Sequence, residues 1–326
     1  MRRACFFVNA ADPSVLERFE FYSQDVRILR ELGFELRIVT SPYGLRPADL
    51  YFVWWWTWAL LPVFLARMGH RPVVVTGVFD LWAFDDRPAW HRKMIQYALA
   101  HADANIFISD MEHRGVAQRF DVRNPCQVPL SVDSEVYVPN GARSDEIIYS
   151  VGWLNGANAV RKGMPEIIRA APFVRKARPN VRFVISGGKG SYYPELARLV
   201  KEVNAEDCVV FTDAVSKEEK IRWMQRCAMY LQPTRFEGFG LAILEAMSCG
   251  APVVSCPAGA VPEVVGDTGV LVPSGSPEAV ADAVIELLEN RDKRKFLGEQ
   301  ARLRARNLFS FERRKEAIRV VLEGVL

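Results

Sequence analysis

Glu237 and Glu245 bracket a glycine-containing turn in the run Arg235-Phe236-Glu237-Gly238-Phe239-Gly240-Leu241-Ala242-Ile243-Leu244-Glu245-Ala246-Met247. The run follows an apolar strand, Met229–Gln232. Pro233, Gly238 and Gly240 keep the chain out of helix until about Leu241. A helix is then expected to Ser248, with Gly250 ending it. Glu237 therefore lies in the loop and Glu245 one turn inside the helix. The amides of Gly238, Phe239 and Gly240 are donors at a helix start, which suits phosphate or sugar oxygens. Glycine lets a ligand approach the backbone closely. A nearby carboxylate accepts hydrogen bonds from the two hydroxyls of a diol. A plain strand–loop–helix connection with two solvated glutamates would look the same for any isolated pair. The GFG turn and the continuation Ser248-Cys249-Gly250-Ala251-Pro252-Val253-Val254-Ser255 argue against that reading.

Alternating strands and helices must position these groups. In the first half, strands read as Cys5–Asn9, Glu35–Thr40, Tyr51–Trp55, Val73–Val78 and Asn105–Ile108. Helical patterns lie between them at Ser14–Leu32, Thr57–Met68, Pro88–Ala102 and Met111–Phe120. In the second half, strands read as Ile147–Val151, Val181–Ser186, Val209–Phe211, Met229–Gln232, Val253–Ser255 and Val270–Val272. Their helices are Pro165–Ala177, Tyr193–Asn204, Lys217–Arg226, Leu241–Ser248, Pro277–Leu288 and Asp292–Leu308. Continuous apolar strands such as VVVTGV belong to parallel sheets covered on both faces. Two such series predict an α/β protein of two doubly wound domains. The break falls in Val138–Ser144, where Pro, Asn and Gly punctuate the chain. The expected domains are residues 1–142 and 143–308, with segment 309–326 packing back on the first. Ligands of open α/β sheets bind outside the carboxyl ends of the strands. Two facing sheets would bring a donor and an acceptor together.

The run EGFGLAILEAMSCGAPVVS, Glu237 to Ser255, resembles the donor-binding signature of the retaining glycosyltransferases of family 4, the glycosyl transferases group 1. These have two Rossmann-like domains facing a cleft, the GT-B fold. The likeness extends to Gly259, Pro262-Glu263-Val264-Val265, Gly269-Val270-Leu271-Val272-Pro273 and Phe311-Glu312. It is looser at Asp103–Ser109 and Val128–Asp133. The resemblance implies that Glu245 holds the ribose hydroxyls and Glu237 contacts the transferred sugar. It places the amides of Phe239, Gly240 and Leu241, beside Gly238, at the sugar and diphosphate. It makes Lys162 the cation that neutralises the leaving diphosphate, a role a fixed charge performs in the transition state. Gly187, Gly188 and Val215 fall where the family meets the nucleotide.

The sequence departs from the family at three places, the first being the turn after the first strand, where Asn9-Ala10-Ala11-Asp12 stands in place of a glycine-rich loop. Gly152-Trp153-Leu154 stands where a Gly-Arg-Leu stretch is usual, and Arg161 is the candidate replacement for that arginine. Phe79 stands where a histidine is usual, and Asp80 is the candidate to orient the sugar instead. The implied reaction is retaining transfer of a hexose from a UDP- or GDP-sugar to an acceptor hydroxyl in polysaccharide, lipopolysaccharide or glycolipid assembly. No side-chain nucleophile is needed, and no Asp-x-Asp calls for a metal, so no cofactor is expected. The rivals are a sugar-phosphate synthase or epimerase on the same fold, and a non-catalytic subunit partnering an active transferase.

Composition narrows the partners. Lys+Arg number 42 against Asp+Glu 39, a net charge of +3 that does not suggest a nucleic-acid binder. Before residue 144 the only lysine is Lys93, and arginine favours anionic groups. Six cysteines show no CxxC spacing, which fits a reducing, cytoplasmic compartment and no metal site. Segment 51–66, YFVWWWTWALLPVFLA, is too short to span a bilayer and contains Pro62. It reads as a buried strand leading into an apolar helix, and its tryptophans suit a peripheral contact with the inner face of the membrane. No GxGxxG follows the first strand of either half, which argues against a dehydrogenase.

Overall fold

The computed structural model describes residues 2–79, 81, 84–141 and 143–326. The chain forms two compact units, residues 1–131 with 311–326, and residues 132–310.

The first unit holds six parallel strands in the order β2-β1-β3-β4-β5-β6: β1 Arg3–Val8, β2 Glu35–Val39, β3 Leu50–Trp54, β4 Val73–Gly77, β5 Ala104–Phe107 and β6 Pro125–Gln127. Every residue of β3 and β4 is buried, as their unbroken apolar sequences require of strands covered on both faces. Three features differ from the sequence pattern. The helix expected over Ser14–Leu32 is broken into Val15–Arg18 and Glu20–Glu31 by Phe19, whose backbone is extended. The Phe19 ring stacks on Phe21 at 5.3 Å instead of continuing the helix. The apolar segment after β3 starts as a 3-10 turn, Trp56–Trp58, before the helix Leu60–Met68. Finally, β6 is an extra edge strand whose Pro125 would be excluded from a central one.

The C-terminal helix Phe311–Glu323 belongs to this first unit. Arg314 on it is buried and grips buried Asp25 with two bonds, Nε to Oδ1 at 2.7 Å and Nη2 to Oδ2 at 2.9 Å. Its Nη1 donates to the carbonyls of Val128 and Pro129, and Trp54 Nε1 donates to Asp25 Oδ2. A charge pair out of water needs this full set of partners to offset its desolvation.

The second unit holds six parallel strands in the order β12-β11-β10-β7-β8-β9: β7 Ile147–Val151, β8 Arg182–Ser186, β9 Val209–Phe211, β10 Met229–Gln232, β11 Val253–Ser255 and β12 Val270–Leu271. Read from β9, this is the Rossmann order, and the winding reverses between β7 and β10. The crevice at that switch point is the ligand site the topology offers. Residues 132–141, assigned to the first half by the sequence pattern, belong to this unit. Ser248 Oγ donates to the Tyr137 carbonyl at 2.8 Å and Gln225 Nε2 to that of Val138 at 2.8 Å. Among the described residues no helix is long and apolar enough to cross a membrane.

Candidate active site in the second unit

The carboxyl ends of β7 and β10 carry the site. After β10 the chain turns at Pro233 and is tied down by one carbonyl. The amide of Arg235 and the hydroxyl of Thr234 both donate to Arg161 O, at 2.7 and 2.8 Å. Arg161 ends the short helix Gly156–Arg161, and its Nη1 returns a bond to Phe236 O at 2.7 Å. Two short segments from opposite sides of the switch point thus lock each other.

This clamp places Glu237. Its Oε1 accepts from Gln232 Nε2 at 2.8 Å and Lys162 Nζ at 3.1 Å, and lies 3.1 Å from Arg161 Nη1. Burial pushes the Glu237 carboxyl up. The Lys162 and Arg161 charges and their hydrogen bonds outweigh that, so its pKa lies below the usual carboxylate value. Lys162 Nζ also donates to Gln232 Oε1 at 3.2 Å, and Tyr230 OH donates to the same oxygen at 2.8 Å. Gln232 thereby orients both the acid and the base.

Glycines make this approach possible. A Cβ at Gly152 would lie 2.6 Å from the Lys162 Cδ, so the lysine stem passes where any other side chain would stand. Gly163 has φ +74°, and a Cβ there would lie 2.1 Å from the Pro233 carbonyl oxygen. Gly259, φ +62°, would strike the carbonyl oxygen of Glu237 at 2.1 Å, and the neighbouring Ala260 amide donates to that oxygen at 2.8 Å.

The helix Leu241–Ser248 begins at Gly240, which adopts φ 96°. Among the described residues none accepts a hydrogen bond from the amides of Gly238, Phe239, Gly240 or Leu241. These orphan donors beside Lys162 and Arg161 are what an anionic ligand needs. Phe239 is buried against Phe309, edge to face at 5.7 Å, which fixes the turn from behind. Glu245 is buried further along the helix. It accepts from Tyr137 OH at 2.8 Å and, with its two oxygens, from Lys220 Nζ at 2.7 and 2.8 Å.

The other expected positions spread along the same sheet edge. Gly187 follows β8 at φ +155°, where a Cβ would lie 1.8 Å from the Gly152 carbonyl oxygen. Its amide donates to Asp213 O at 2.8 Å, and Gly188 O accepts from the Leu154 amide at 3.3 Å. Val215 is half-buried just before Ser216, which caps the helix Lys217–Arg226 in a full capping box. Trp153 is half exposed, and Arg161 on the following helix joins Lys162 as a second cation beside Glu237.

In the first unit, Asp80 lies outside the described residues. Phe79 is buried in an aromatic cluster with Trp56, Phe84 and Phe120, at centroid distances of 5.5, 5.9 and 5.8 Å. The winding of this sheet reverses between β1 and β3. Immediately after β3, Trp55 has φ 79°, a strained backbone for a bulky residue. Gln232, Tyr230, Tyr137 and Lys220 were not singled out in the sequence. A polar residue closing the apolar run MYLQ was the one available signal, and it pointed at Gln232 alone.

A family model described as glycosyl transferases group 1 matches residues 146–290, somewhat under half of the chain. A phosphatidylinositol N-acetylglucosaminyltransferase component from Arabidopsis thaliana is 29% identical over 221 residues, covering 67% of this chain and 48% of that protein. The GDP-mannose-dependent alpha-(1-6)-phosphatidylinositol monomannoside mannosyltransferase of Mycobacterium tuberculosis is 34% identical over 151 residues, 44% of this chain and 39% of that protein. The matched stretch thus spans less than half the length of either relative. The structure of Anabaena Alr3699/HepE in complex with UDP-glucose superposes with a TM-score of 0.78 at 18% identity, covering 99% of this chain and 100% of that one. That likeness is one of fold, and the chain has the GT-B fold.

Proposed function

We propose that the protein transfers a hexose from a UDP- or GDP-hexose to a hydroxyl of a glycolipid acceptor, with retention at the anomeric carbon. One observation carries this reading: Lys162, Arg161 and Gln232 converge on Glu237 at the switch point, beside four orphan amides at a helix start. Bound donor would set its diphosphate on those amides and against Lys162 and Arg161. Its sugar hydroxyls would meet Glu237, and its ribose would meet Glu245. In the reaction the anomeric C–O bond to phosphate breaks and the bond to the acceptor oxygen forms on the same face. The acceptor proton passes to an oxygen of the departing phosphate. Charge gathers on the diphosphate, and the preorganised cations and amides stabilise it there.

The names of the relatives support this donor and acceptor class. One is GDP-mannose-dependent, two are named for phosphatidylinositol glycolipids, and a structural neighbour binds UDP-glucose. Phe79, built into an aromatic core where the family has a histidine, favours a second reading: a donor-binding protein without turnover that partners an active transferase.

Calorimetry with UDP and GDP, followed by product analysis with radiolabelled UDP- and GDP-hexoses and inositol-phospholipid acceptors, separates the readings. Transfer that preserves the anomeric configuration supports the first. Nucleotide binding without turnover supports the second. Absence of both nucleotide binding and transfer overturns both.

A further inference from the structure

We propose that the outer surface of two neighbouring helices of the first unit, Leu60–Met68 and Ala89–His101, docks on an anionic lipid bilayer. Trp58, Leu61, Phe64 and Met68 are between 41% and 67% exposed. Leu61, Phe64 and Met68 follow one another at helical spacing and Trp58 precedes them by one turn, so the four share one side. The other side of the same helix, Pro62, Val63 and Ala66, is buried on the sheet. A surface helix ordinarily turns polar residues outward. This one is apolar on both sides, and its only charged residue is Arg67.

The second helix extends the patch. The sheet order steps from β3 to β4 to β5 in one direction, so right-handed crossovers put both helices on the same face. Trp90, in the first turn of the second helix, is 63% exposed.

Charge selects the occupant. Stretches 50–79 and 87–102 contain no Asp or Glu, yet they carry Arg67, Arg71, Arg87, Arg92 and Lys93. Arg71 and Arg92 are matched by Asp49 and Asp85 just outside those stretches. Among the described residues no ion pair engages Arg67 or Lys93. A second copy of this face would bring cation against cation. Exposed tryptophans, large apolar residues and a basic rim together are the make-up of a helix that lies in the headgroup layer of an anionic membrane. The inference is independent of the donor chemistry of the second unit.

The test is co-sedimentation of the full chain with vesicles of phosphatidylcholine, alone or mixed with phosphatidylglycerol. Binding is expected to the anionic vesicles, to weaken with added salt, and to shift tryptophan emission to the blue. Phe64→Gln with Met68→Gln should reduce that binding about tenfold or more, and Arg67→Glu with Lys93→Glu should abolish the preference for anionic lipid. All four positions are exposed, so unchanged thermal midpoints will show that the variants fold. Calorimetry with UDP and GDP, run alongside, reads the second unit separately. No binding to anionic vesicles, or binding unchanged in the variants, overturns the proposal. So does a dimer in sedimentation velocity that dissolves in the Phe64→Gln variant.

Discussion

Replacing Lys162 with alanine tests the heart of the site. The ammonium sits 3.1 Å from Glu237 Oε1 and 3.2 Å from Gln232 Oε1, on a stem laid over Gly152. Two effects follow. Loss of one preorganised donor for developing charge lowers turnover about 10²–10³-fold, roughly 2.7–4 kcal/mol. Loss of one charged partner of a buried carboxylate also lowers stability, by about 1.5–3 kcal/mol, with Arg161 still in place. The pH dependence gives the sign. Glu237 has a folded pKa below its unfolded one, so its stabilisation is present above the unfolded value of about 4.3 and is lost as pH falls through the folded pKa. In Lys162→Ala the folded pKa rises toward the unfolded one, so less stability remains to be lost on acidification. Initial rates over a range of donor concentration, with thermal unfolding at neutral and acid pH, read both effects. Turnover within about threefold of the parent, or a raised KM at unchanged kcat, would refute the argument that Lys162 acts on the transition state. An acid unfolding profile parallel to the parent's would refute the coupling to Glu237.

Further outcomes can be checked independently. Glu245→Gln, which removes the charged acceptor of Lys220 and Tyr137, should weaken UDP and GDP binding about tenfold in calorimetry while leaving the fold intact. Gly259→Ala should lower both the thermal midpoint and turnover, because its Cβ would lie 2.1 Å from the Glu237 carbonyl oxygen; a fully active variant would show that Glu237 needs no fixed backbone. Arg314→Met should destabilise the first unit by roughly 3–5 kcal/mol in denaturant melts by stranding Asp25, and adding Asp25→Leu should recover part of the loss.

The legible parts of this molecule were local ones. Apolar runs such as VVVTG became fully buried strands, and Glu237 and Glu245 took the loop and helix positions that the glycines dictate. Long-range closure was not legible. Lys162 and Glu237 lie 75 residues apart and meet because β7 and β10 are neighbours, an order that periodicity does not encode. The break at Phe19 was equally hidden, since its extended backbone falls inside a helical pattern of apolar residues. The short helices Gly156–Arg161 and Val261–Val265 span too few residues to show a period, yet the first of them delivers Arg161. The resemblance points to Lys162, whereas Arg161 stands only as a candidate substitute where Trp153 departs from the family.

The grip of Arg314 on Asp25 also bears on the order in which the chain becomes a protein. The partners are 289 residues apart, and the whole second unit is threaded between them. A ribosome releases Asp25 early and Arg314 late. The bonds of Arg314 to Asp25, Val128 and Pro129 can therefore form only after the second unit has been synthesised. Residues 132–310 are contiguous in sequence, whereas the first unit joins residues 1–131 to 311–326 across them.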